Sequence, residues 1–378
     1  MSQDLRRLML SLCLLVVTAS CDGGGSPAGD PILVRIPPGA SLTAVADTLA
    51  AHGIITNADR FTLFVRVRGD AERIQAGAYT FRQGTEWGEI AADLTAGHVF
   101  TERFTIPEGF TLVQIAERIA VVTESQEADV RAILEAPDAP DRFGVPGPTL
   151  EGFLFPETYT ITPGVEISEV VELMTRQYRS FWTPERTEAL QLLGMTELEL
   201  VTLASIVQAE ARASEELPII ASVYHNRLRI GMPLQADPTV IYALGGPRTR
   251  LLFAAMDSVA DSPYNTYTHA GLPPGPIGSP GAAAVEATLN PVESEFLYFV
   301  AHPDGTHLFS RSLAEHNRAR QTTDRLWAEV RAETARRESA LRDSVAAAEA
   351  ERADSIARAD TLGLSDFRSS WHDKSRTQ

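Results

Sequence analysis

The chain has 378 residues, 44% of them hydrophobic and 22% charged, which is material for about two compact globular domains. Its formal net charge of −17 and the lack of any clustered basic run exclude a nucleic-acid binder, because phosphate recognition needs a concentrated positive surface. An uncharged or locally basic ligand suits such a chain better.

Residues 1–21 are expected to form a lipoprotein-type signal peptide. Arg6 and Arg7 give the charged start, Leu8 to Val17 the apolar stretch, and Thr18-Ala19-Ser20 the small residues before Cys21. The apolar stretch is too short to span a bilayer, which takes about 20 residues. Cys21 is therefore the candidate lipid attachment point, although Thr18 stands where Leu is usual in a lipobox. The other cysteine, Cys13, lies inside the signal, so the mature chain offers no disulfide framework and no cysteine-based zinc site. Residues 22–31, rich in Gly, read as a flexible tether from a membrane surface.

Between residues 32 and 136 short β-like runs alternate with helical ones. Ile32 to Ile36 enters the turn Pro37-Pro38-Gly39, and Ser41 caps a helix from Leu42 to His52, closed by Gly53. A second helix is expected from Asn57 to Val67, a strand from Ala76 to Phe81, and a helix from Glu86 to Leu94. Phe104-Thr-Ile-Pro-Glu-Gly-Phe-Thr-Leu112 repeats the pattern of Val34-Arg-Ile-Pro-Pro-Gly-Ala-Ser-Leu42, so a strand, turn and helix unit occurs twice. This arrangement resembles the LysM type of carbohydrate-binding module; a small spacer domain without a ligand is the alternative.

The Pro-rich residues 137–149 read as a linker, and residues 150–320 as the domain that holds the chemistry, with a strand expected from Phe296 to Ala301. Residues 321–378, rich in Ala, Arg and Glu, form a charged tail that is helical or disordered. The fold class is α+β: a small N-terminal module, a mixed α+β domain, and the tail.

Thr196 to Ala211 carries the strongest local signal. Thr196 and Glu199 make a capping box. Leu200, Leu203, Ala204, Val207 and Ala211 fall on one apolar stripe, which leaves Glu210 at its edge. Burial there would raise its pKa and suit it to general acid chemistry; a boundary glutamate paired with an arginine is the alternative reading. His302, His307 and His316 lack the spacing of a zinc pair, and no nucleotide-binding or Gly-x-Ser-x-Gly motif occurs, so no metal or cofactor is implied.

Several segments, in order, resemble the endolytic murein transglycosylase family (MltG or YceG-like). They are Ala204-Ser-Ile-Val-Gln-Ala-Glu210, Ala221 to Tyr242 with Tyr-His-Asn-Arg and Leu-Gln-Ala-Asp-Pro-Thr, Ser262 to Gly281, Leu150 to Tyr159, Tyr298 to Phe309, and His316-Asn317. The resemblance covers roughly Ile32 to Arg320. It implies Glu210 as catalytic acid and base, with Gln208 standing where many relatives have a second acid. It further implies cleavage of the β-1,4 bond between N-acetylmuramic acid and N-acetylglucosamine, leaving a 1,6-anhydromuramyl end. Asn226, Arg227, Gln235, Asp237, Thr239, Asn265, Thr266, Tyr267, Glu151 and Glu157 are the candidate substrate-binding residues. The implied partners are glycan strands, a membrane reached through the lipid anchor, and peptidoglycan synthases; the implied location is outside the cell membrane, facing the wall. A non-catalytic peptidoglycan-binding lipoprotein and a water-using muramidase remain as alternatives.

Overall fold

The computed structural model describes residues 28–246, 251 and 253–361. The expected signal peptide, Cys21 and most of the tether lie outside them. By contacts the chain divides into two compact units. One runs to Gln208 and takes in Leu272–Val285; the other holds Ala209–Gly271 and continues from Glu286.

The first unit begins with β1 (Ala28–Ile36), α1 (Leu42–Ala51), α2 (Ala58–Arg68), β2 (Gly77–Gln83) and α3 (Trp87–Ala96). β1 and β2 pair antiparallel, with Val34 opposite Tyr79 and Ile36 opposite Gly77. Val34, Ile36, Val45, Leu49, Phe61, Val65, Tyr79, Phe81, Ile90 and Leu94 fill one apolar core, which explains the two-residue alternation in the strands and the three-to-four-residue spacing in the helices. Ser41 accepts from the Ala44 N–H at 3.2 Å, as its place before α1 demands.

The second strand, turn and helix unit is β3 (Glu102–Thr105) followed by α4 (Leu112–Thr123), whose start is fixed by the reciprocal Thr111–Gln114 box. Gly39 and Gly109 hold the same left-handed backbone in the two turns, φ +74° and +77°. α5 (Glu127–Leu134) and α6 (Ala139–Phe143) come next. The Pro-rich passage is thus not an open linker: α6 lies within it, and Ala139, Phe143 and Val145 are buried. Proline there opens a helix, which its fixed φ favours at the first turn. β4 (Thr158–Ile161), absent from the sequence reading, pairs antiparallel with β3, Phe104 opposite Tyr159.

α7 (Ile167–Phe181), α8 (Pro184–Leu193) and α9 (Glu197–Glu210) follow. The Thr196–Glu199 box is present, with the Thr196 N–H donating to the Glu199 carboxylate at 2.7 Å and the Glu199 N–H to Thr196 Oγ1 at 3.2 Å. Every residue from Leu200 to Val207 is buried, so α9 is enclosed on all sides rather than along one stripe. Its apolar residues surround the helix, as in a helix buried all round.

Loop 276–281 packs on the second turn within the same unit. The Gly109 N–H donates to the Ser279 carbonyl at 2.7 Å and the Ser279 N–H to the Phe110 carbonyl at 2.8 Å. Ser205 accepts from the Ile277 N–H at 3.1 Å, and Gln208 from the Gly281 N–H at 3.0 Å.

In the second unit a 3-10 turn (Ser214–Glu216) leads into α10 (Leu217–Arg229), then α11 (Asp237–Ala243), α12 (Phe253–Ser258) and α13 (Ala282–Leu289), which joins the units in the chain. β5 (Tyr298–Ala301) and β6 (His307–Ser310) form a hairpin, and α14 (Leu313–Thr361) ends the described chain. β5 starts two residues later than expected. The tail is helical as far as Thr361, as part of a 49-residue helix that starts before residue 321. Among the described residues no single helix is long and apolar enough to cross a membrane.

Candidate functional site

Glu210 is the last residue of α9 and lies in the second unit, in a groove of about 390 Å³. The groove is lined by Tyr224 and Arg227 from α10, Gln235 and Asp237 at the start of α11, Tyr267, Tyr298 and Phe299 from β5, and His316, Asn317 and Arg320 from α14. Tyr224 and Arg227 share a helical face because they are three residues apart; Leu313, His316, Asn317 and Arg320 share one at spacings of three, four and seven. A hollow of about 400 Å³ in the first unit differs in kind: its Glu172 pairs with Arg176 and Arg179.

The Glu210 residue keeps some exposure, but its carboxyl is crowded by protein. Tyr224 donates its hydroxyl hydrogen to Glu210 Oε1 at 2.9 Å. Burial pushes the pKa up from 4.5 to about 7, and this outweighs the Tyr224 hydrogen bond, which favours the charged form. The negative charge of Asp237 raises it further, while Arg227 opposes. The helix end adds to this, because carbonyl oxygens without helical partners repel a negative charge there. The result is an acid that holds its proton near neutral pH.

Arg227 is 7% exposed and reaches two loops. Its Nε donates to the Leu297 carbonyl at 2.7 Å and Nη1 to that of Leu234 at 2.6 Å, and its guanidinium lies 5.4 Å from the Tyr298 ring centre. Among the described residues it forms no salt bridge, so pairing with an acid is not its structural task. Tyr267 donates to Asp237 at 2.6 Å, which sets the carboxylate at the rim. Gln235 takes a left-handed backbone, φ +48°, unusual for a side-chain-bearing residue.

The remaining candidates do not line the groove. Asn226 is buried and donates to the Ser294 and Phe296 carbonyls at 2.8 and 3.0 Å. Thr239 and Thr266 bond each other at 2.9 Å, and Thr266 also accepts from the Ala236 N–H, locking the turn before α11. Asn265 donates to the Met256 and Val259 carbonyls. Glu151 and Glu157 belong to the first unit. The Glu151 carboxylate accepts from the Leu112 N–H at the start of α4, at 3.0 and 3.1 Å, and Glu157 accepts from the Thr158 N–H.

Sequence reasoning quoted Tyr224, Tyr298, Phe299, His316 and Asn317 within motifs without assigning them to the site, and gave Arg320 no role. The three-residue step between Tyr224 and Arg227 was the available signal for the first. The others need β5 and α14 to come together in space.

A desolvated, hydrogen-bonded carboxyl in an open groove has the chemistry that general acid–base work requires. Residues 34–322 match the model of the YceG-like family, and the chain belongs to that family. It is 35% identical over 305 residues to a Bacillus subtilis protein named endolytic murein transglycosylase, covering 76% of this chain and 83% of that one. A Streptococcus pneumoniae protein of the same name is 29% identical over 76% of this chain; the match spans 57% of that longer protein. The crystal structure of a YceG-like protein from Listeria monocytogenes superposes with a TM-score of 0.52 at 32% identity, covering 77% of this chain and 99% of that chain.

Proposed function

We infer that the chain is a murein transglycosylase that cuts peptidoglycan glycan strands, with Glu210 serving in turn as acid and base. The Glu210 carboxyl, crowded by protein in the groove, bonded by Tyr224 and with its pKa pushed up to about 7 by burial, carries this reading; the names of the relatives supply the substrate. Glu210 gives its proton to the glycosidic oxygen as the bond from muramic acid C1 breaks. The 6-hydroxyl of the same sugar attacks C1, and the Glu210 carboxylate takes the hydroxyl proton. No water is consumed, and the anhydro end is lighter by one water than a hydrolytic product.

Asp237, in the same groove, favours one other reading, a muramidase with two carboxyls. Mass spectrometry of purified glycan strands after digestion separates the two: anhydro ends support the transglycosylase, reducing ends the muramidase. Strands left intact by the wild-type protein would leave only a binding protein. Glu210→Gln keeps the shape and removes the acid; a fall in cleavage of about 10³-fold or more is expected, and unchanged cleavage would sink the assignment.

The small residues before Cys21 support a lipid anchor, hence a site facing the wall from the membrane, where peptidoglycan synthases are natural partners. Helices packed on the β1–β2 sheet support a LysM-like, glycan-holding module at residues 32–136. Radiolabelled fatty acid should enter the wild-type protein and not Cys21→Ala.

A further inference from the structure

The chain carries a net charge of −17, yet its groove holds two arginines and a histidine beside Glu210 and Asp237. With Glu210 protonated, cations outnumber anions there. Arg320 lines the groove on the exposed second turn of α14, and among the described residues its guanidinium has neither an ion pair nor a hydrogen bond. His316, one turn earlier, stacks on Tyr298 with ring centres 5.3 Å apart, and Arg227 lies over the same Tyr298 ring. The buried Nδ1 of His316 has no hydrogen-bond partner among the described residues, a deficit that native structures rarely tolerate without a ligand or water. Burial and the charges of Arg320 and Arg227 hold the ring below its usual pKa.

Arg227 is partly engaged by the Leu297 and Leu234 carbonyls, whereas Arg320 is unengaged among the described residues, and the ligand that best matches a guanidinium in charge and geometry is a carboxylate. We propose that Arg320, together with His316 and Arg227, forms a carboxylate-binding subsite for the acidic lactyl arm of muramic acid. The carboxylate is either the free lactyl acid or one on the peptide attached to it. This rests on the transglycosylase reading for the identity of the sugar.

The test uses three purified ligands: peptide-bearing strands, amidase-trimmed strands with free lactyl carboxylates, and trimmed strands capped as neutral methylamides. Affinity is measured calorimetrically with the full chain as Glu210→Gln, which binds without turnover, and with Arg320→Gln added. Capped strands should bind roughly tenfold or more weakly than the better charged strand. Arg320→Gln should bring that charged strand to the level of the capped one and leave the capped one unchanged. The better charged strand identifies the source of the carboxylate. Equal affinity for all three ligands, or an equal loss on all three with Arg320→Gln, overturns the subsite. Cleavage of trimmed strands by the wild-type protein is scored separately. Charge selectivity without cleavage removes the reaction and keeps the subsite; cleavage without selectivity does the reverse.

Discussion

At Glu210 two influences oppose each other: burial holds the proton on, and the Tyr224 hydroxyl stabilises the carboxylate once it leaves. The proposed reaction begins from the acid form of Glu210, so kcat/KM is expected to fall as pH rises through about 7. Tyr224→Phe should move that fall to higher pH and lower the rate roughly tenfold, the worth of one hydrogen bond to a charged group. A pH–rate profile that stays put in Tyr224→Phe would deny the tyrosine this role. Stability follows from the same shift. In the unfolded chain the group titrates near 4.5, so below that pH both states hold the proton. Between 4.5 and 7 the unfolded chain has released it while the fold retains it, and stability falls as pH rises, levelling above 7. Urea unfolding at pH 8 should therefore show Glu210→Gln more stable than wild type by on the order of 2–3 kcal/mol, with the two alike at pH 4.

At the scale of elements, helix starts were legible because their signals are local. Ser41 and Thr196 each declared a cap that the structure contains, and Thr111, in the place of Ser41 in the repeat, holds a third. The four-residue strands β4 and β6 were not legible, since each depends on a partner elsewhere in the chain. The same limit explains the polar residues assigned to sugar binding. Asn226 reaches carbonyls 68 and 70 residues away, and no spacing rule distinguishes that task from ligand contact. Gln208 was read as a missing acid, whereas its amide oxygen receives the Gly281 N–H. The loop it holds is tight: a Cβ on Gly278 would stand 2.7 Å from the Gly109 carbonyl oxygen. Gly278→Ala is expected to cost on the order of 1–3 kcal/mol, read as a lowered urea midpoint.

Across the whole molecule, α14 does two things along its length. Its first turns supply the groove, and Thr323 and Trp327 seat it in the second unit, the latter donating to the Ala301 carbonyl. Beyond Trp327 each residue whose side chain is described is exposed. Truncation after Arg331 should leave the melting temperature within about 1 °C of wild type, as expected for removing surface without core; a larger drop by calorimetry would show that the rod is held by more than its first turns. The charged composition declared this segment solvated, but not that its opening turns face the groove, because composition averages over a helix that changes role midway.

The crowding of one carboxyl also bears on selection. Variants screened for heat resistance alone gain by replacing Glu210 with a neutral residue, so that position should be lost early when activity is not demanded and retained when it is. A library sorted once by stability and once by cleavage would therefore separate most sharply at this side chain.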